Sequence, residues 1–166
     1  MRSHRSSIFD TLPVKGNYTL IIALNSPTRI RVAKHDWRFR RGYYAYTGSA
    51  MGNNATSLRQ RVARHVRKMK KQHWHIDYLL SSRKTCITSI IAAASDVNME
   101  CEIAERIQRI EGVRVPIAGF GASDCQRKCR SHLVHFKENA MLKTIADVYR
   151  CTLGSAQVLQ IQPSAA

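Results

Sequence analysis

The chain contains no apolar run approaching the roughly 18 residues that a membrane-spanning helix needs, so a spanning helix is excluded. It is also short of acid. Eleven Asp and Glu stand against 27 Lys and Arg, a formal charge of +16 with a pI near 10.3. Such an excess concentrates polyanions, nucleic acid ahead of an acidic membrane surface. The cysteines (Cys86, Cys101, Cys125, Cys129 and Cys151) are odd in number and lack the dense spacing of a disulfide scaffold. Free thiols in a reducing cytoplasm are expected. The opening MRSHRSSIFDTL has no continuous apolar segment, so no secretory signal is read there, and its Arg and Ser content leaves an organellar presequence open. There is no internal repeat. At 166 residues the chain suits one domain with a real core.

What is present is concentrated between Gly42 and Lys71, GYYAYTGSAMGNNATSLRQRVARHVRKMKK. A tyrosine-rich strand turns at Gly48, crosses a loop of small residues and opens into a basic helix. Leu58, Val62, Val66 and Met69 recur with the period of a single apolar helical stripe. Ser57 suits the N-cap, because its hydroxyl can accept from an orphan amide of the first turn. Arg61, His65 and Lys68 fall on one edge of the stripe, while Arg64, Arg67 and Lys71 lie further round toward solvent. A plain basic surface helix needs only the second set, which singles out Arg61 and His65.

Residues 1–13 read as a flexible leader, 14–137 as the principal domain, and 138–166 as a C-terminal helix and tail. Asn17 to Leu24 is a buried strand by composition, and Thr28 to Ala33 alternates beyond a turn at Asn25-Ser26-Pro27, so the two are expected to form a hairpin. Tyr43 to Thr47, His75 to Leu80 and Thr85 to Ala92 read as further strands. Asn98 caps a helix from about Met99 to Glu111, with Ile103, Ile107 and Ile110 as its core stripe and Gly112 as its stop. Gly119 to Asp124 reads as a flexible loop, and Ala140 to Arg150 as a helix. The sum is α+β: a small central, mostly antiparallel β-sheet flanked by α-helices.

Taken in order, Gly16-Asn17-Tyr18, then Tyr46-Thr47-Gly48-Ser49-Ala50, then Leu58-x-x-Arg61-x-x-x-His65 resembles the GIY-YIG endonucleases. The similarity continues through HWHIDYLL, Glu100-Cys101-Glu102, Gly121 to Cys125 and Ser131-His132-Leu133, an order similar to the Uri-like subgroup, over residues 14–136. Departures are Asn17 in place of an aliphatic residue, a longer loop from Met51 to Ser57, and no match for a late asparagine, with Ser123 or Asp124 in its region. The resemblance implies that Tyr18 and Tyr46 stand side by side facing a scissile phosphate and that Arg61 stabilises charge on it. His65 would position or protonate, and Glu102 would hold one Mg²⁺ or Mn²⁺, with Glu100 as the alternative. It implies phosphodiester hydrolysis in nucleic acid, DNA ahead of RNA; a monomer or weak dimer is expected.

The residue types suit that chemistry. A phenol is a poor base unless positive charge favours its phenolate, and Arg61, His65 and a cation supply such charge. A carboxylate such as Glu102 suits Mg²⁺. Arg38, Arg40, Arg41, Arg64, Arg67, Lys68 and Lys71 can grip flanking phosphates without reading sequence. Trp37, Phe39 and Tyr43 either stack bases or pack in the core. Plainer readings stand beside these. Tyr18 and Tyr46 can be packed strand residues, and Glu102 can pair with Arg106 at i+4. The chain can also be a non-catalytic nucleic-acid-binding module. Cys125, Cys129, His132 and His135 invite a zinc reading, although the spacing from His132 to His135 is tight.

Overall fold

In the computed structural model, residues 7–32 and 34–162 are described. The sheet has five strands in the order β6-β4-β1-β5-β7, every neighbouring pair antiparallel, formed by β1 (Gly16–Leu24), β4 (Gly42–Ala50), β5 (Thr85–Ala94), β6 (Leu133–Phe136) and β7 (Gln157–Gln160). The α-helices are α1 (Leu58–Val66), α2 (His75–Leu80), α3 (Glu100–Gln108) and α4 (Met141–Leu153). The chain is α+β, with helices on both faces of an antiparallel sheet.

β1 sits at the centre because its run lacks polar alternation and is covered on both sides. Tyr18, Leu20, Ile22 and Leu24 pack on one face with Leu58 and Val62 of α1 and Ile76, Leu79 and Leu80 of α2. Ile21 packs on the other with Ile103 and Ile107 of α3 and Ile145 and Tyr149 of α4.

The expected hairpin does not form between residues 17–24 and 28–33. β1 pairs with β4 and β5, while β2 (Thr28–Val32) pairs with β3 (His35–Phe39) in a separate two-stranded sheet. Ala33 lies outside the described residues. Residues 75–80 are a helix, not a strand. Ile76, Leu79 and Leu80 have helical spacing, and the buried Asp77 carboxylate accepts from the amides of His73 at 2.9 Å and Trp74 at 3.0 Å, which nucleates the first turn. The leader is corrected in part: Ile8–Thr11 form a capped 3₁₀ turn and Leu12 is fully buried, while residues 1–6 lie outside the described set. The tail is corrected likewise, since β7 extends the sheet; residues 163–166 lie outside the described set. The loop at Gly119 to Asp124 is anchored, with Phe120 buried and its carbonyl accepting from the His132 amide at 2.9 Å.

The basic helix starts as expected, with Ser57 as N-cap. It stops at Val66, where Lys70 Nζ donates to the carbonyls of His65 at 2.7 Å and Arg67 at 2.9 Å and closes the C-terminus. Met69 therefore leaves the apolar stripe and is 94% exposed.

Candidate active site

β6 pairs with β4 only along Tyr43 to Tyr46. Beyond that point the edge of β4 is open from Gly48 onward, and a small polar cleft of about 220 Å³ forms there, lined by Tyr18, Tyr46, Gly48, Ser49, Arg61, His65 and Glu100 among others. Strand register places the phenols. Tyr18 lies opposite Gly48 and Leu20 opposite Tyr46, so the two tyrosines are diagonal neighbours on one face. Gly48 is required by this approach, since a Cβ there would sit 2.7 Å from the Tyr18 hydroxyl. Gly121 plays the same part for Tyr46, 2.7 Å from a ring carbon, and has a φ of +71°.

Tyr18 Oη lies 2.9 Å from His65 Nε2. The other ring nitrogen, Nδ1, is buried without a hydrogen-bond partner and faces the Asp77 carboxylate at 3.9 Å. That negative charge favours the Nδ1–H tautomer, so Nε2 accepts the Tyr18 proton. Burial drives His65 down to about 3, a neutral imidazole at physiological pH, which corrects the expectation that His65 supplies positive charge to the phenols. Burial, together with the Tyr46 phenol, holds Tyr18 well above its ordinary value; burial and the Glu100 charge push Tyr46 up as well. Both phenols are therefore protonated donors in the free protein. The Tyr46 hydroxyl has no hydrogen-bond partner among the described residues and lines the cleft.

Arg61 donates through Nη1 to the Ser49 carbonyl at 2.7 Å, on the open edge of β4, with its guanidinium carbon 5.1 Å from the Trp74 ring centre. Its remaining N–H groups take no partner among the described residues. Ser49 donates its hydroxyl to Glu100 Oε2 at 2.9 Å. The structure thus brings Tyr18, Tyr46, Arg61 and His65 together on one cleft.

Glu102 is not with them. It pairs with Arg106 at 2.7 Å and faces Arg127 at 3.9 Å; the Arg106 hydrogen bond leads in holding its carboxyl below the ordinary value. Positions two apart on a helix point about 200° from each other, so when Glu100 faces the cleft, Glu102 cannot. The cleft is completed by Gly48, Ser49, Trp74, Asn98, Gly121, Asp124 and His132. The Glu100 and Asp124 carboxylates lining the cleft are the hard oxygen donors that a divalent cation such as Mg²⁺ takes, while the Asn98 amide oxygen already accepts from the Glu100 amide at 3.0 Å. Glu100 Oε1 takes no hydrogen bond from the described residues.

The basic residues divide. Arg64 is committed to Asp77 through two hydrogen bonds of 2.9 and 2.8 Å, and Lys68 Nζ donates to the carbonyls of Leu80, Ser82 and Thr85. Both are corrected from phosphate contacts to structural ties. Arg67 and Lys71 are exposed. Arg38, Arg40 and Arg41 are exposed and line a different cavity of about 630 Å³ with Arg114 and Lys137. Phe39 is buried and Tyr43 stacks on Phe136 at 6.0 Å, so both pack. Trp37 packs on Phe120 at 5.1 Å.

The zinc set is corrected too. His135 sits on β6 against the Tyr44 ring at 4.8 Å, its Nε2 3.2 Å from the Arg41 carbonyl. Cys125, Cys129 and His132 converge instead with Cys101. No described helix is long and apolar enough to cross a membrane.

Neither the curated proteins nor the solved structures provide a match to this sequence. A family model does match, over residues 17–153, a span that holds every cleft residue named above, and the chain belongs to that family, the domain of unknown function DUF123.

Proposed function

We propose that this protein is an endonuclease that hydrolyses phosphodiester bonds in DNA, with the cleft beside β4 as its active site. The observation that carries the reading is the convergence of two phenols, a guanidinium, a neutral imidazole and a carboxylate on one concavity at the sheet edge. The resemblance to GIY-YIG nucleases supports it, as does the charge of +16, which draws a polyanion toward the cleft.

Each group has a task that its surroundings suit. Arg61, fixed by the Ser49 carbonyl, presents its free N–H groups to the phosphoryl oxygens, where charge grows in the transition state. Tyr46, with its hydroxyl unengaged, orients the attacking water. His65 holds Tyr18 in place, and the Tyr18 oxygen keeps a lone pair for that water's proton. Proton transfer onto Tyr18 can be matched by passage of its own proton to His65 Nε2, beside Asp77. Glu100 is the residue that would hold Mg²⁺ or Mn²⁺, oriented by Ser49, with Asp124 and Asn98 nearby. Bound there, the cation would neutralise phosphate charge and ease departure of the leaving oxygen.

Plasmid nicking tests the reading. Strand breaks are expected only with added Mg²⁺ or Mn²⁺, and are expected to be lost in Tyr46→Phe, Arg61→Ala and Glu100→Gln while DNA is still bound. Salt-dependent binding without breaks in any metal identifies a non-catalytic binding module instead. Equal nicking by all three variants points to a contaminant.

A further inference from the structure

Three of the five cysteines and one histidine gather beside the cleft, which His132 also lines. Cys101 lies in the first turn of α3, Cys125 and Cys129 in the irregular segment that follows Gly119, and His132 just before β6. Their ligand atoms all lie within 4.8 Å of one another; Cys101 Sγ is 3.3 Å from Cys125 Sγ and 3.8 Å from His132 Nε2. A tetrahedral site with Zn–S bonds of about 2.3 Å has ligand-to-ligand edges of roughly 3.8 Å, so the spacing matches without rearrangement of the backbone. A disulfide needs sulfurs about 2.05 Å apart, and all five thiols are free.

We propose that Cys101, Cys125, Cys129 and His132 form a structural zinc site. Three thiols and one imidazole are a soft donor set that selects Zn²⁺ over the hard cation suited to Glu100. Four protein ligands complete a tetrahedron and leave no position for a substrate, which makes the site structural. The set is not legible from spacing alone, because Cys101 comes from a helix 24 positions before Cys125.

The site joins α3 to a segment that it also meets through the Gln108 amide on the Ser131 carbonyl at 2.7 Å and Arg127 on Glu105 at 3.3 Å. The segment from Gly119 to His132 contains neither helix nor strand, and it carries Gly121 and Asp124 into the cleft. Cys101 directly follows Glu100. Zinc therefore clamps both walls of the cleft at a fixed separation, a consequence that rests on the nuclease reading, whereas the metal site itself does not.

Metal analysis of the purified full chain, grown with zinc and kept reduced, is expected to give about one zinc per chain, as a structural site is normally occupied. Less than about a tenth of an equivalent overturns the proposal. Cys86→Ser and Cys151→Ser are expected to keep the zinc, and Cys101→Ser and Cys129→Ser to lose it; retention in both of the latter is also decisive against. Because removing a ligand can unfold the chain, a second measurement uses the unmutated protein. Co²⁺ exchanged into it should give the intense visible bands and thiolate charge-transfer absorption of a tetrahedral site, whereas a weak octahedral spectrum overturns the assignment. Neither readout depends on nicking, so this site and the nuclease reading fail separately.

Discussion

The Tyr18 hydroxyl and the His65 imidazole meet at 2.9 Å across 47 positions of sequence, each only 2% exposed, and His65 then faces Asp77. This row ties the central strand to the basic helix, and through Asp77 to the cap of α2. Tyr18→Phe leaves a buried acceptor on His65 unpaired, at an expected cost of about 1–3 kcal/mol. Chemical denaturation measures it, and nicking should fall at least tenfold. A variant as stable and as active as the parent removes Tyr18 from the mechanism.

Acid should destabilise the protein through His65. Its folded pKa is depressed to about 3, so between the ordinary value near 6.5 and about 3 the unfolded chain binds the extra proton. Stability is fully present above about pH 6.5 and falls with pH at up to about 1.4 kcal/mol per unit. Asp77, also held below its ordinary value, where Arg64 and the amides of Trp74 and His73 outweigh burial, adds its loss only below about pH 4. Between pH 4 and 6 burial of His75 and His132 adds losses of the same sign, so the share of the slope that His65→Gln removes is the share that reports His65. His65→Gln should reduce the slope in denaturation curves taken across that range, and an unchanged slope assigns the effect elsewhere.

Gly48 gives a test by size. Its missing side chain leaves room for the Tyr18 phenol, and the added carbon of Gly48→Ala would stand 2.7 Å from the hydroxyl. Overpacking of this kind costs about 1–3 kcal/mol. Gly48→Ala and Tyr18→Phe act on the same contact and should couple, the double variant losing somewhat less stability than the two single losses added, because Phe removes the hydroxyl but keeps the ring carbon Cζ at 2.8 Å. Strict additivity means that the phenol has moved out of the way in the single variant.

Much of this arrangement is legible in the sequence, and the limits are physical. The apolar run at Asn17 to Leu24 announces a strand covered on both faces, and the spacing of Arg61 and His65 beside Leu58 and Val62 places both toward the core. The partner of β1 is a different matter, because pairing across 20 or more positions is set by global packing, and a turn at Asn25-Ser26-Pro27 looks the same whether or not its strands meet. HIDYLL carries β-prone residues, yet Asp77 makes it a helix by capping its own first turn. Glu100 against Glu102 is a question of helix phase, which Ile103 and Ile107 on the buried stripe could have answered. The fourth sulfur-site member, Cys101, belongs to another element and has no local signal.

That helix phase yields a direct comparison. Glu100→Gln should abolish Mg²⁺-dependent nicking, because its carboxylate lines the cleft beside Ser49, while Glu102→Gln should leave it within about twofold, since Glu102 is engaged by Arg106 on an exposed face where single charges contribute little. Assays at several Mg²⁺ concentrations separate weakened cation binding from lost chemistry. The reverse ranking assigns the cation to Glu102.

The basic helix separates grip from structure in the same manner. Arg64 donates two hydrogen bonds to the fully buried Asp77 and is its ion-pair partner, and Arg64→Ala leaves that charge with only the amides of His73 and Trp74, an expected loss of about 3 kcal/mol. Arg67 and Lys71 are exposed, and replacing either with Ala should leave stability within about 0.5 kcal/mol. Their effect should instead appear in DNA affinity, where each lost phosphate contact lowers the slope of log binding constant against log salt by about one. Arg64→Ala, compared at a temperature where it stays folded, should keep the parent slope, because its charge is already neutralised within the protein. A slope reduced by Arg64→Ala and untouched by the other two places the DNA against Asp77's partner and away from the exposed cations.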